Sequence, residues 1–190
     1  AAAAVRFPLL PSLSHLVVEV WAGLPELLLQ LDDLPALTEL ELCGADSRVA
    51  VGASQPAPQL QRLTCEAEQL AVDFAALPGL RSATMSTSTK LEAPAGFATA
   101  TALSYLALRG EGEWDSSALE LLRSLPPCVR CLGLEGTWPQ EAASLVGSLT
   151  SIVGLELDYR GDPVAAALPA EDAPIWAGLR AASRHWPCED

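Results

Sequence analysis

The sequence contains no asparagine, a single lysine (Lys90) and few bases of any kind. Without asparagine it has no acceptor for N-linked glycosylation. Its 11 Lys and Arg residues stand against 24 Asp and Glu residues, which gives a formal net charge of -13. Nucleic-acid binding and attraction to anionic membranes need clustered positive charge, so this balance argues against both. Pro, Gly or a charged residue also interrupts every apolar run before the roughly 18 residues that a membrane span needs.

Cysteine occurs in an odd number and at irregular spacing. The five residues predict reduced thiols in an intracellular protein rather than a disulfide framework. Cys128 and Cys131 form a single C-x-x-C pair, whereas a structural zinc site needs four ligands. An enzyme, metal or redox role for this pair is the weaker alternative, and we expect no metal and no cofactor.

Recognisable catalytic motifs are missing as well. The sequence has no G-x-S-x-G, no phosphate-binding loop and no H-E-x-x-H. Its two histidines, His15 and His185, are far apart in sequence, and no motif supports a Ser-His-Asp arrangement around either of them. The sequence therefore predicts a protein that is not an enzyme.

Leucine and alanine are abundant, at 34 and 32 residues, and they are arranged with a regular period. The pattern apolar-x-x-apolar-x-apolar recurs seven times, and successive copies are 20 to 26 residues apart. The last two apolar positions of each copy alternate with period two, which predicts a short strand in each copy. Repeats of this length bury their apolar faces by stacking on one another. The middle residues of the seven copies are Leu16, Leu40, Leu63, Ala83, Leu106, Leu132 and Leu155.

The sequence around these triplets is also repeated. Segments 34–42 (LPALTELEL), 77–85 (LPGLRSATM) and 149–157 (LTSIVGLEL) are variants of one motif, and 125–134 (LPPCVRCLGL) is the same motif with one residue inserted. From residue 9 to residue 160 the chain resembles the leucine-rich-repeat family, with Leu-Pro-x-Leu segments similar to those of the plant and algal type. The resemblance implies an α/β solenoid, or horseshoe, of about seven repeats. Short parallel strands would line its concave face, and helices or turns would cover its convex side.

Helical patterns separate several of the triplets. Ser117 and Glu120 are spaced as a capping box ahead of a leucine-rich stretch, and Thr137 and Gln140 repeat that arrangement. The segment Leu24–Leu34 also has helical spacing. We therefore expect helices at these three places.

The two ends of the chain differ from the middle. We expect a solenoid over residues 1–162, truncated at its N-terminal end, and a C-terminal cap over residues 163–190. The cap would contain a short helix that starts near Asp172-Ala173-Pro174, with membrane or partner binding as an alternative role for it. An Ala- and Leu-rich helical bundle is the alternative fold. The 15 Pro residues, many of them directly before the triplets, argue against a bundle because Pro interrupts helix interiors.

The strand residues that lie between the leucines contact partners in leucine-rich-repeat proteins, on the concave face. Carried over to this sequence, two columns of such positions hold six acids and one base. We predict a protein partner with a basic surface; the alternative is a solvated face without a partner. Tyr105 beside Arg109 is the best candidate for an interface anchor, because Tyr and Arg are enriched in hot spots. The predicted partner-binding residues are Glu19, Glu39, Glu41, Arg62, Glu66, Tyr105, Arg109, Glu135, Glu156 and Asp158.

The resemblance implies a non-catalytic scaffold that binds another protein through its concave face. One setting is the substrate receptor of an F-box-type ubiquitin ligase, with the F-box outside this chain. Others are an immune-type or signalling sensor and an axonemal scaffold in a flagellate green alga. We expect a cytoplasmic protein, with the cytoskeleton or the ciliary axoneme as the location in the last setting. The sequence predicts neither the identity of the partner nor an oligomeric state.

Overall fold

The computed structural model of the chain describes residues 3–5, 8–20, 26–57, 59–91, 95–113, 116–137, 140–159 and residue 174. Its strands are β1 (Ala3–Val5), β2 (His15–Glu19), β3 (Glu26–Gln30), β4 (Glu39–Gly52), β5 (Arg62–Val72), β6 (Ser82–Leu91), β7 (Tyr105–Glu113), β8 (Cys131–Thr137) and β9 (Gly154–Tyr159). Two α-helices, α1 (Ser116–Arg123) and α2 (Gln140–Ser148), and two 3-10 turns, Phe74–Ala76 and Phe97–Thr99, complete the regular structure of this part. The predicted α/β class is confirmed.

All nine of these strands are parallel, and seven of them lie side by side in the order of the sequence. β2 pairs with the first half of β4, and β5 to β9 then follow one another; we call these seven strands the first row. β1 pairs with β3, and β3 pairs with the second half of β4. The register shifts in β4 between Gly44 and Arg48, and in β5 between Ala67 and Gln69. The later halves of these long strands, together with β1 and β3, form what we call the second row.

The apolar residues that define the sequence repeat form two continuous columns across the first row. Strand pairing aligns Leu16, Leu40, Leu63, Ala83, Leu106, Leu132 and Leu155, and also Val18, Leu42, Cys65, Met85, Leu108, Leu134 and Leu157. In the inner strands these side chains are fully buried; Leu63, for example, is 1 % exposed. The prediction that the middle residues of the seven copies share one inward-facing column is confirmed.

The same hydrogen-bond arrangement recurs where first-row strands begin. At β4, the N–H groups of Thr38 and Glu39 both donate to the carbonyl of Ser14, at 2.8 and 3.0 Å. Two consecutive N–H groups share one carbonyl in the same way at five further strands, where the acceptors are Thr38, Gln61, Arg81, Ser104 and Arg130. The repeat in the sequence therefore corresponds to a repeated backbone geometry.

The segment Leu24–Leu34, predicted to be a helix, is a strand where the structure describes it. Glu26–Gln30 forms β3, in which Leu27 and Leu29 are buried and Leu28 between them is half-buried. This alternation is that of a strand. A run of consecutive leucines satisfies helical and strand spacing equally, and pairing with the second half of β4 decides in favour of the strand.

The α-helices in the described part of the chain lie in the two units that precede β8 and β9. α1 begins at Ser116, one residue before the predicted Ser117, and α2 begins at Gln140, after Thr137 has ended β8. The two helices contribute Leu121, Leu122 and Val146 to the buried core. The expectation of a helix in the first unit is wrong, because second-row strands take that place in the earlier units.

Connections between the strands also join neighbouring units. The buried rings of Phe74 and Phe97 meet edge to face, with their centroids 5.2 Å apart. The carboxylate of Asp32 accepts hydrogen bonds from the N–H of Ser54 (3.0 Å), the Ser54 hydroxyl (3.1 Å) and the N–H of Gln55 (3.2 Å). These donors, the Ser54 N–H above all, lower the pKa of Asp32. Asp32 thus ties the connection after β3 to the one after β4.

The predicted C-terminal cap, residues 163–190, lies outside the described residues except for residue 174, which is helical and exposed. None of the helices that the structure describes combines the length and the apolar character needed to cross a bilayer.

The buried columns predict a sharp contrast between neighbouring residues of β5. Leu63→Ala should lower the free energy of unfolding by about 2–5 kcal/mol, because it leaves a cavity in the core. Thr64→Ala, one residue further along and on the exposed side, should change it by less than about 0.5 kcal/mol. Urea unfolding followed by circular dichroism measures both. Equal effects of the two substitutions would contradict the register.

Candidate functional site

One side of the first row carries the residues that alternate with the buried columns; we call it the polar face. Strand pairing arranges these residues in three columns. They are His15, Glu39, Arg62, Ser82, Tyr105, Cys131 and Gly154; Val17, Glu41, Thr64, Thr84, Ala107, Gly133 and Glu156; and Glu19, Cys43, Glu66, Ser86, Arg109, Glu135 and Asp158. All ten predicted partner-binding residues lie on this face.

Accessibility varies along the polar face. Val17 in β2 is 49 % exposed, and Glu66 in β5 is exposed. Further along, Ala107 is only 2 % exposed, and Gly133 in β8 is buried. The early strands therefore present long side chains to solvent, whereas β7 and β8 have small residues at the middle of the face.

Three carboxylates surround the thiol of Cys43; we call Glu19, Glu41 and Glu66 the acidic cluster. Register places Glu19 and Glu66 directly beside Cys43 on the two neighbouring strands, and Glu41 is two residues before it on β4. The Cys43 Sγ lies 3.9 Å from Oε1 of Glu41.

The electrostatic effect of the acidic cluster appears in the titration of Cys43. Burial is the largest influence that raises the pKa of this thiol. The carboxylates of Glu41, Glu66 and Glu19 raise its pKa further, because negative charge disfavours a thiolate. Among the described residues, none of the three carboxylates forms an ion pair. Their charge is therefore available to a cationic group from outside.

The first column contains a short chain of ion pairs. Glu39 lies between His15 and Arg62, with Oε2 at 3.3 Å from His15 Nδ1 and Oε1 at 3.9 Å from Arg62 Nη1. All three side chains are substantially exposed, so these contacts stabilise the fold by no more than about 1 kcal/mol. They do offset the charge of Glu39 and Arg62, which leaves the negative character of the face to the other two columns.

Tyr105 extends across the middle of the face. A Cβ at position 133 would lie 3.7 Å from the Tyr105 hydroxyl and 3.2 Å from the Cβ of Ala107, so Gly133 leaves space beside the phenol. Burial raises the pKa of Tyr105, Glu156 raises it further, and Arg109 acts in the opposite direction. Tyr105 is therefore a protonated hydrogen-bond donor at neutral pH.

Arg109, which is predicted to accompany Tyr105, is engaged within the protein. Its Nε lies 3.3 Å from Oε2 of Glu135 on the adjacent strand. The side chain of Glu135 is only 18 % exposed, whereas that of Arg109 is 48 % exposed. This pair fixes the guanidinium beside Tyr105 and removes Glu135 from the set of free acids.

The C-x-x-C pair is not a dithiol. Cys128 has a free thiol, which donates a hydrogen bond to the carbonyl of Ala100 at 2.9 Å. Cys131 is disulfide-bonded, so the prediction that all five cysteines are reduced is wrong at this position. Where the chain is described, no group of three or more His, Cys, Asp or Glu side chains could hold a metal ion.

Two features of the face were not recognised in the sequence. Cys43 falls in the third column, but a half-buried thiol among acids has no sequence signature of its own. The pairing of Arg109 with Glu135 depends on how two long side chains meet across strands; the spacing between β7 and β8, read from the repeat, was the one available signal.

Comparison of the chain with protein-family profiles, curated proteins and solved structures finds no match.

The acidic cluster predicts how fast Cys43 reacts with iodoacetamide. Replacing Glu41 and Glu66 by Gln should lower the pKa of the Cys43 thiol and increase its alkylation rate at pH 8. We expect an increase of about twofold to threefold, because the gain in thiolate is partly offset by weaker nucleophilicity. Peptide mass spectrometry of timed samples measures the rate at this residue.

Glu120→Gln, on α1, is the matched control and should leave that rate unchanged. Cys65, which is fully buried, should stay unlabelled in every folded variant. An unchanged rate at Cys43 in the double variant would contradict the arrangement of the acidic cluster.

Proposed function

We propose that the chain folds as a leucine-rich-repeat solenoid and acts as a non-catalytic scaffold that binds another protein through the polar face. Support comes from the period of 20 to 26 residues, the alignment of the repeat positions across seven strands and the recurring hydrogen bonds at the strand starts. In this proposal the polar face is the concave side. The second row and the helices α1 and α2 lie on the convex side.

The dimensions of the face suit an extended segment of a partner. Seven parallel strands at about 4.8 Å spacing span about 29 Å. An extended peptide of about nine residues has that length. Because hydrogen bonds within the sheet hold the strands, the face loses little conformational entropy on binding.

The charge of the face favours a basic partner, and the unpaired acidic cluster is the observation that carries this proposal. Glu19, Glu41 and Glu66 lie on three adjacent strands without an ion pair among the described residues. Exposed Glu156 and Asp158 add negative charge on β9. The basic residues Arg62 and Arg109 are each paired with a glutamate. A segment with Arg or Lys near both of its ends would complement this pattern.

Tyr105 supplies the apolar anchor between the two acidic regions. It is half-buried beside Gly133, so part of its ring is held in place before a partner arrives. A pre-positioned Tyr with an adjacent Arg has the composition of an interface hot spot. The partner is then expected to place an apolar or cationic side chain against the phenol.

Selection from a library of random 12-residue peptides tests this function. Peptides selected on the 190-residue chain should be enriched in Arg and Lys and should bind less tightly as salt is raised. The triple variant Glu19→Gln, Glu41→Gln, Glu66→Gln should bind them about tenfold more weakly, as loss of close charge pairs costs on the order of 1.4 kcal/mol or more. Fluorescence anisotropy with labelled peptides measures the affinities.

A second triple variant controls for net charge. Glu26→Gln, Glu120→Gln and Glu141→Gln remove three negative charges at positions off the polar face, and this variant should keep the original affinity. Equal weakening in both triple variants, or selected peptides without basic residues, would contradict the proposal.

A further inference from the structure

One edge of the first row is open at β2. On its other side, β2 bonds to β4: the N–H of Val20 donates to the carbonyl of Cys43 at 2.7 Å, and the carbonyl of Ser14 accepts from the N–H groups of Thr38 and Glu39. In a parallel strand, the backbone groups of alternate residues point to opposite sides. The N–H and C=O groups of His15, Val17 and Glu19 therefore point away from β4. None of the strands that the structure describes lies on that side.

The core residues of β2 are also incompletely covered. Leu16 and Val18 are only partly buried, whereas Leu40 and Leu42, their counterparts on β4, are 2 % and 0 % exposed. The same contrast separates Leu13 from Leu37 one position earlier in the repeat. An edge that combines unpaired backbone groups with uncovered core residues is a template for one more strand.

β1 identifies the unit to which that strand belongs. In each early unit the chain passes through a first-row strand and then a second-row strand, as in β2 followed by β3 and in the two halves of β4. β1 pairs with β3 through Ala3 and Leu27, so it is a second-row strand of a preceding unit. Residues 8–14 already lead into β2, so neither they nor β1 can supply the first-row strand of that unit.

We propose that the open edge of β2 binds one further parallel strand, namely the first-row strand of the unit that contains β1. It enters ahead of Ala1 in the polypeptide and has the repeat's own apolar-x-apolar chemistry. The two apolar side chains cover Leu16 and Val18, and its backbone bonds to His15, Val17 and Glu19. Spacing fixes its position: Leu40 precedes Val49 by nine residues and Leu16 precedes Leu27 by eleven, so its first apolar residue precedes Ala3 by nine to eleven.

An extension of the 190-residue chain tests this proposal with a sequence taken from the chain itself. A copy of residues 34–46 (LPALTELELCGAD), with the copy of Cys43 changed to Ala, is fused directly ahead of Ala1. The copy of Leu40 then lies nine residues before Ala3, as Leu40 does before Val49. A control extension is identical except that the copies of Leu40 and Leu42 are Ser.

The first extension should raise the melting temperature by about 5 °C relative to the control extension, which corresponds to roughly 2 kcal/mol for a chain of this size. Hydrogen exchange at the amides of Val17 and Glu19 should slow by at least about tenfold, as each tenfold step equals about 1.4 kcal/mol of protection. Amides of β6, four strands away in the first row, serve as the internal reference.

Two results would overturn the proposal. One is equal stabilisation by both extensions, which would mean that the apolar pair does not dock on β2. The other is full protection of Val17 and Glu19 in the unextended chain, which would mean that a second copy or another part of the chain already covers the edge; light scattering distinguishes these two occupants. The peptide-binding experiment on the polar face uses different residues, so its outcome is independent.

Discussion

Stacking of parallel strands in register is the interaction on which the rest of the structure depends. A strand five to six residues long, such as β2 or β9, cannot bury its apolar side chains alone. When the strands pair, Leu40 meets Leu63 and Leu106 meets Leu132, and each unit completes the core of its neighbours. A slip of one residue would turn every core leucine to solvent, so the apolar columns fix the register strongly.

The polar face follows from the same register. Because side chains of a strand alternate between its two sides, burying the leucines obliges the intervening residues to point outward in straight columns. The acidic cluster and Tyr105 thus owe their positions to Leu40, Leu63 and Leu106 rather than to contacts of their own. This arrangement lets residues on the face vary without loss of the fold, which is the property expected of a binding scaffold.

The seven first-row strands and the composition of the polar face could be predicted because period two and a 23-residue repeat leave one consistent arrangement. The second row could not. Consecutive leucines in β3 satisfy helical spacing as well as strand spacing, and the alanines of β1 carry no alternation at all. Ion pairing of Glu39 with His15 and of Arg109 with Glu135 depends on side-chain directions across strands, which the residue pattern does not specify.

The most direct test of the in-register columns is a methyl NOE spectrum of the chain with labelled leucines. Cross-peaks are expected between Leu40 and Leu63 and along Leu106, Leu132 and Leu155, each pair being one strand apart. None is expected between Leu106 and Leu155, which are two strands, or roughly 10 Å, apart. Cross-peaks confined to leucines three or four residues apart in sequence, as in a helix, would contradict the account.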